Sequence, residues 1–362
     1  MTSFNPAAFR DPELAQGLIH AITEAAPAQA NLMEVCGTHT MAIARDGIRS
    51  LMPEGTTLLS GPGCPVCVTA NAEIDAAIAL ARVPGVTVTT FGDMMRVPGS
   101  TSSLMAEKAA GRSVEVVYSP SDAIKRAKEN PEEQVVFIGV GFETTTPVVA
   151  ATIKQAAALD LSNFTVLVAN KNMPNALEAI VNDPELQIDG LILPGHVSTI
   201  IGPKPYRFLA ERYHIPGVIA GFDALDVLQG IAMLMRQIAE GRAEIETAYT
   251  RAVMQDGNPV AAAFIDEVFE TCDVAWRGLG VIPQSGYKLR PEYERFDAMV
   301  RFQPEVEPTQ EHKGCRCGDV LRGALTPKDC PLFDTACSPE NPIGPCMVSS
   351  EGSCAAYYRY YR

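Results

Sequence analysis

The stretch that decides the fold is QVVFIGVGFETTTPVVAATIKQAA, residues 134–157. Its first seven residues are almost uniformly apolar, which predicts a strand buried on both faces, and a segment of helical period follows the GFETTTP loop. The same order recurs on both sides of it, in NLMEV, TTLLS, VTVTT, VEVVY, FTVLVA, GLILP and GVIAG. Strands that alternate with helices in this way predict a mostly parallel sheet covered by helices, an α/β core.

The alternation ends near residue 222. Beyond it, ALDVLQGIAMLMRQIAEGRAEIETAYTRAV predicts one or two long helices and AAAFIDEVFE a further helix, and from Gly278 onward Pro, Gly and Cys are dense. This last segment has little apolar material for its own core, so a bound metal would explain its order. We therefore predict two Rossmann-like parallel-sheet α/β domains, at residues 1–117 and 118–222, and a helical, cysteine-rich iron-sulfur domain at residues 223–362.

Charge and hydropathy argue against two classes of partner. The 362 residues include 29 Lys and Arg against 43 Asp and Glu, a net charge of −14 with no basic stretch to neutralise a phosphate backbone, so nucleic acid is not expected. No run of about eighteen apolar residues could span a bilayer, and the starting MTSFNPAAFRDPE lacks the basic and apolar parts of an export signal. We expect a cytoplasmic protein with no membrane partner, whose reduced cysteines bind metal or carry out redox chemistry.

Six of the ten cysteines lie within forty residues near the end of the chain. They are Cys315, Cys317, Cys330, Cys337, Cys346 and Cys354. Only the first two are closely spaced, whereas structural zinc usually takes two tight pairs, so a cubane iron-sulfur cluster fits better than zinc or plain buried thiols. A cluster needs four ligands, and the two surplus cysteines could form a redox-active pair. Cys272, on a predicted helix end, is interpreted as a small buried hydrophobe.

A second cysteine motif is GPGCPVC, with Cys64 and Cys67 after the strand TTLLS. Two thiols at this spacing can close a disulfide or share a metal, and helix-terminal amides can lower the pKa of one of them. The alternative is a purely structural turn, because the glycines and prolines would form one without sulfur.

The motif CGTHT places Cys36 and His39 after the strand NLMEV. The two side chains could hold one metal ion, or the imidazole could deprotonate the thiol. The alternative is Thr38 capping a helix beside an inert thiol.

The loops that carry these motifs all follow strands. In an open parallel sheet the carboxyl ends of the strands line one edge, where ligands bind, so we expect Cys36, Cys64, Cys67, Glu143 of GFETTTP and His196 of PGHVSTIIG to converge. GFETTTP also resembles a phosphate-binding turn, but it lacks the lysine and glycine spacing of a Walker loop, and a capped helix start is the alternative. For His196 the alternative is a loop residue whose hydrogen bonds are satisfied and which contacts no ligand.

Taken together, five motifs resemble those of the HypD family of [NiFe]-hydrogenase maturation factors. They are MEVCGTHT, LLSGPGCPVCVT, GVGFETTTP, LPGHVSTIIG, and the segment from CRCGDVLRG to CMVSSEGSCAAYYRY, and they cover nearly the whole chain in the family's order. The resemblance implies a scaffold that works with the chaperone HypC, on which a transient iron acquires one carbon monoxide and two cyanides, as Fe(CN)2CO, before delivery to the hydrogenase large subunit. It also implies that cyanide arrives through HypE with HypF.

By the same resemblance, Cys36 is the ligand of the iron under construction, His39 is a neighbouring polar group, and Cys64 with Cys67 is a thiol-disulfide pair. Met41 stands where the family often has a second histidine. The tail is similar to ferredoxin-thioredoxin reductase, which implies a [4Fe-4S] cluster and a redox pair that passes electrons to Cys64 and Cys67. The implied cluster ligands are Cys315, Cys330, Cys337 and Cys354, and the implied redox pair is Cys317 with Cys346.

Two other functions are compatible with these residues. The first is a disulfide reductase of the ferredoxin-thioredoxin type, an enzyme that acts on a protein disulfide. The second is a hydro-lyase with iron as Lewis acid, which needs three ligands and an open iron site, whereas this tail offers six cysteines.

Overall fold

The computed structural model describes residues 11–362, and most of the segment MTSFNPAAFRDPE, on which the expectation about an export signal rested, lies outside them. The strands are β1 (Ala30–Glu34), β2 (Thr56–Ser60), β3 (Val86–Thr90), β4 (Ser113–Val116), β5 (Gln134–Gly139), β6 (Phe164–Val168), β7 (Gly190–Pro194), β8 (Gly217–Ala220), β9 (Ile245–Thr247), β10 (Phe269–Trp276) and β11 (Gly280–Leu289). The eight apolar runs predicted as strands correspond to β1 through β8, so that prediction is confirmed.

Helices follow most of the strands. They are α1 (Pro12–Ala25), α2 (Gly37–Arg45), α3 (Pro65–Val68), α4 (Asn71–Arg82), α5 (Leu104–Ala109), α6 (Pro120–Glu129), α7 (Thr146–Ala158), α8 (Met173–Val181), α9 (Gly195–Ile201), α10 (Arg207–Tyr213), α11 (Ala224–Ala239), α12 (Pro259–Val268), α13 (Ala298–Phe302), α14 (Cys317–Arg322), α15 (Pro345–Val348) and α16 (Ser353–Tyr360). In the described part of the chain, none of these helices is long and apolar enough to cross a membrane.

Two parallel sheets form the body of the protein. The first sheet has the order β2-β1-β7-β8-β9 and the second β4-β3-β5-β6, and neighbouring strands in both run parallel. The predicted fold class, α/β with two parallel-sheet units, is confirmed. The strands β3, β5 and β7 are buried almost throughout, which is why their sequences are continuous apolar or β-branched runs rather than alternating ones.

The two sheets do not follow the predicted boundaries at residues 117 and 222. The first sheet takes β1 and β2 from the first predicted range and β7 and β8 from the second, while the second sheet joins β3 and β4 to β5 and β6. The chain therefore leaves the first sheet after β2 and returns to it at β7. Strand order depends on which apolar faces pack together in three dimensions, and the spacing of apolar residues along the chain carries no record of it.

The predicted helical range 223–362 is also more mixed than expected. Helix α11 packs against α1, β7 and β8, so it covers the first sheet, and β9 extends that sheet. The strands β10 and β11 form an antiparallel hairpin. Cys272 lies in β10, so its predicted place on a helix end is wrong. The hairpin escaped prediction because Pro283 and Gly286, both unusual within strands, interrupt β11.

The cysteine-rich tail shares its core with the first sheet. One hydrophobic cluster includes Leu193 of β7 and Val35, which follows β1, together with Cys317, Cys346 and Met347 of the tail. The tail is thus packed into the body of the protein, which places its cysteines close to the carboxyl edge of the first sheet.

Candidate functional site

Cys36 occupies the N-cap of α2, immediately beyond the end of β1. Its backbone is extended, with φ −148° and ψ 122°, and the residue is 8% exposed. Its N–H donates to Glu34 Oε2 at 3.1 Å, and the Thr40 hydroxyl donates to Glu34 Oε1 at 2.5 Å. The buried Glu34 carboxyl therefore fixes the turn that presents the Cys36 thiol at the edge of the sheet.

The GPGCPVC loop lies directly against Cys36. Gly37 N–H donates to Gly63 O at 3.0 Å, and a Cβ on Gly63 would lie 2.1 Å from the Cys36 nitrogen and 2.4 Å from its Cα. Only glycine allows this approach. Next to it, Cys64 and Cys67 form a disulfide that begins α3, and Cys64 Sγ accepts from Cys67 N–H at 3.2 Å.

The Cys36 thiol is held in its protonated form at neutral pH. Burial, and then the negative charge of Glu351, raise the pKa of Cys36 to about 12, although the backbone N–H groups of His39 and Thr38 act in the opposite direction. Burial also raises the pKa of Glu34 to about 7. A protonated thiol is a poor nucleophile. A metal ion that binds this sulfur must displace the proton, and its positive charge would favour the thiolate.

Glu351 reaches this site from the tail of the chain, and the sequence analysis missed it. Thr38 Oγ1 donates to Glu351 Oε1 at 2.7 Å, and a Cβ on Gly37 would lie 2.6 Å from the Cβ of Glu351. The two segments are 313 residues apart in sequence. No local motif marks this glutamate, because its role depends on how the tail folds back over α2.

His39 is fully buried but makes no hydrogen bond to the Cys36 thiol through its ring. Its Nε2 is 2.9 Å from Gly221 O at the end of β8, and burial lowers the pKa of His39 to about 4. Its ring stacks on Phe222 at 4.9 Å, and Phe222 stacks in turn on His196 at 3.9 Å. The imidazole therefore joins the loops after β1, β7 and β8 as a neutral group.

Four of the five residues expected to converge follow strands of the first sheet. Cys36 follows β1, Cys64 and Cys67 follow β2, and His196 follows β7. Glu143 instead follows β5 of the second sheet, where it is 3% exposed and accepts from Met173 N–H at 2.9 Å. Burial raises the pKa of Tyr206, and the charges of Glu143 and Cys36 act in the same direction.

The burial of Glu143 predicts a pH-dependent stability. Burial raises its pKa to about 7 from an ordinary 4.5, so its contribution to stability is complete below pH 4.5 and is lost as the pH rises to 7. At about 1.4 kcal/mol per pKa unit, the loss is about 3 kcal/mol. We expect Glu143→Gln to gain this amount in unfolding free energy over the unmodified chain between pH 4.5 and 8, as measured by urea denaturation.

The exposed Glu132 supplies the control for this measurement. Glu132→Gln should unfold with the same pH profile as the unmodified chain. A Glu143→Gln profile that runs parallel to the unmodified one over this pH range would contradict the assignment.

The six cysteines of the tail all line one cavity. The cavity is bounded by α14, α15 and the segment between them, and Cys354 of α16 closes it. Cys317 Sγ and Cys346 Sγ are 3.0 Å apart. Hydrogen bonds from Cys315 and then Cys346 hold the pKa of Cys317 well below its usual value, and the charge of Arg277 acts in the same direction. Cys317 is thus the member of this group that is favoured as a thiolate.

The thiol-lined cavity and the Cys64–Cys67 disulfide are adjacent. Cys67 Sγ lies 4.0 Å from the carbonyl oxygen of Pro345, the residue before Cys346, and α15 packs on α3. Fold and site together define an α/β thiol protein in which a buried cysteine, a disulfide and a cavity lined by six thiols lie close together.

Comparisons with known proteins identify the family. A family model described as HypD, "Hydrogenase formation hypA family", matches residues 13–361. The hydrogenase maturation factor HypD of Cupriavidus necator is 48% identical over 98% of this chain and 96% of its own length. The hydrogenase expression/formation protein HupD of Azotobacter chroococcum is 49% identical and the HypD of Rhodobacter capsulatus 46% identical, with similar coverage. The chain belongs to the HypD family of hydrogenase maturation factors.

Proposed function

We propose that this protein is the scaffold on which the Fe(CN)2CO moiety of [NiFe]-hydrogenase is assembled, with Cys36 as the protein ligand of the iron. The observation that carries the proposal is the position of Cys36. Its buried thiol lies where the start of α2, the disulfide loop at Gly63 and the tail at Glu351 meet. Soft thiolate donors suit low-spin iron that carries strong-field ligands.

A carboxyl group beside Cys36 can accept the proton that iron binding displaces from the thiol. The charge of Glu34 contributes to raising the pKa of Cys36, and Glu34 has a pKa of about 7. A carboxyl with this pKa can accept a proton at neutral pH and return it later. Glu351 adds a second carboxylate beside the thiol, and the neutral ring of His39 stacks on Phe222 without adding charge.

The chemistry of the tail supports a resident [4Fe-4S] cluster. Six thiols line one largely apolar cavity, and a Cβ on Gly344 would lie 2.8 Å from Cys315 Sγ, so this side of the cavity is kept open by a glycine. We assign Cys315, Cys330, Cys337 and Cys354 as ligands. When bound, such a cluster supplies single electrons.

Cys317 and Cys346 form the redox pair in this proposal. Their sulfur atoms are 3.0 Å apart, and Cys317 is the thiol with the depressed pKa. In a thiol-disulfide exchange these two thiols would become a disulfide while Cys64 and Cys67 become two thiols, a transfer of two electrons and two protons. The contact of Cys67 with Pro345 supports this route.

The partners follow from the same proposal. As a hydrogenase maturation factor the protein acts together with other maturation proteins, and we assign these as the chaperone HypC, HypE with HypF as the source of cyanide, and the hydrogenase large subunit as the acceptor of the iron. The deciding experiment is infrared spectroscopy of the protein purified with HypC. The scaffold predicts bands of bound cyanide and carbon monoxide. Their absence, with turnover of a protein disulfide instead, would favour the disulfide reductase.

The division of the six cysteines can be tested with two variants. Because Cys330 is assigned as a ligand and Cys317 as part of the redox pair, Cys330→Ala should abolish the cluster's visible absorbance and Cys317→Ala should leave it largely intact. Iron and sulfide content of both purified proteins provides the second readout. Equal loss in the two variants would overturn the assignment.

A further inference from the structure

A second cavity, with no cysteine in its lining, lies between α8, α9, α12 and the β10–β11 hairpin. Its volume is about 270 Å³. One side is apolar and includes Ile200, Ile201, Pro205 and Ile265. The other side is polar and includes Glu143. The cavity therefore combines an apolar wall with a polar end, an arrangement that fits a ligand with an aliphatic stem and a polar head.

Two residues that line the polar side each carry a buried oxygen atom that lacks a hydrogen-bond partner among the described residues. They are Glu143 Oε2 and Asn172 Oδ1, on residues that are 3% and 6% exposed. The other carboxyl oxygen of Glu143 accepts from Met173 N–H, and Asn172 Nδ2 donates to Gln284 O at 2.7 Å. Buried polar atoms are nearly always paired. Two unpaired oxygen atoms on residues that line one cavity are consistent with a ligand that brings N–H donors.

The charged residues of the lining further restrict the class of ligand that the cavity can bind. Its lining includes the carboxyl groups of Glu143 and Asp266 and no Lys, Arg or His. After burial, the charges of these two carboxyls raise the pKa of Tyr287, which also lines the cavity, so both act on the same ring. Carboxylates beside an aromatic ring favour a cation. They disfavour a phosphate, the ligand that a GFETTTP phosphate-binding turn would require.

We propose that this cavity binds the cationic head of a primary amine or guanidinium ligand, with Glu143 as its counter-ion and the isoleucine wall against its stem. The same chemistry is carried by a lysine or arginine side chain of a partner protein and by a free small amine. The site is separate from the iron chemistry proposed at Cys36, so its test stands or falls independently of that function.

The test uses n-butylguanidinium as the probe and the neutral n-butylurea, of nearly the same shape, as its control. Isothermal titration calorimetry of the full chain should show saturable binding of the cation, and binding of the urea at least about tenfold weaker. This comparison needs no variant. Glu143→Gln should weaken cation binding by a similar factor, while Glu132→Gln, on an exposed loop, should leave it unchanged.

Proton release distinguishes a counter-ion from a structural role. At pH 6 the Glu143 carboxyl, with a pKa of about 7, is mostly protonated, so cation binding should release up to one proton, seen as a dependence of the binding heat on buffer ionisation enthalpy. Glu143→Gln should release none. Equal affinity for the urea, unchanged affinity in Glu143→Gln, or no saturable binding of the cation would each overturn the proposal.

A further pair of titrations distinguishes the two possible sources of the ligand. The peptide Gly-Gly-Arg-Gly-Gly and free n-butylguanidinium are titrated side by side. Tighter binding of the peptide would support the proposal with a partner protein's side chain as ligand. Tighter binding of the free cation would support it with a small amine as ligand.

Discussion

Cys36→Ser is expected to abolish hydrogenase maturation while leaving the protein folded and the proposed [4Fe-4S] cluster in the tail unaffected. The serine oxygen occupies nearly the same buried space beside Glu34 and Gly63, but it is a hard, weakly acidic donor in place of a soft thiolate. Loss of groups that merely support a metal ligand already costs about 10- to 100-fold. Loss of the ligand itself should therefore lower hydrogenase activity by more than about a hundredfold in cells that depend on this copy.

Cys272→Ser is the matched control, since Cys272 lies in the hairpin and outside the thiol-lined cavity. It should support normal hydrogenase activity. In the purified proteins, the infrared bands of bound cyanide and carbon monoxide should vanish in Cys36→Ser and persist in Cys272→Ser. Normal maturation by Cys36→Ser would contradict the assignment of the iron ligand.

Gly63→Ala should be the most damaging single methyl group in the site. The added Cβ would lie 2.1 Å from the Cys36 nitrogen and 2.4 Å from the Val35 carbonyl carbon. Both are backbone atoms that cannot move without separating β1 from the disulfide loop. Overpacking a rigid site costs about 1–3 kcal/mol, and we expect the upper end of this range from urea denaturation. Hydrogenase maturation should be lost as well, because the loop no longer rests on Cys36.

Gly17→Ala provides the comparison, because a Cβ at Gly17 would have nothing within 4 Å. This residue lies inside α1, where alanine is the better helix former, so the variant should gain up to about 1 kcal/mol. If Gly63→Ala proved as stable and as active as Gly17→Ala, the close approach of the two loops would have no role in the site.

The strands were predictable because their signal is local. The runs that became β3, β5 and β7 are buried on both faces, so nearly every side chain in them is apolar or β-branched. The hairpin was missed because Pro283 and Gly286, both unusual within strands, interrupt the pattern of β11. The order of strands in the two sheets left no trace in the sequence.

The residues of the candidate site likewise include some that the sequence indicated and some that it did not. Cys36, the Cys64 and Cys67 pair and the six tail cysteines stand out in the sequence, because each lies in a dense or closely spaced motif. The roles proposed for them remain predictions. Glu34 and Glu351 did not stand out, although both lie beside Cys36 and raise its pKa.

The sequence by itself determined the α/β class, the positions of eight strands and the set of cysteines. These depend on the periodicity of buried residues and on residue chemistry, which are both local properties of the sequence. Only the tertiary structure decided that the chain returns to the first sheet at β7, that the tail packs Glu351 against α2, and that Glu143 faces its own cavity. Each of these is a contact between distant segments, fixed by how whole apolar faces pack together.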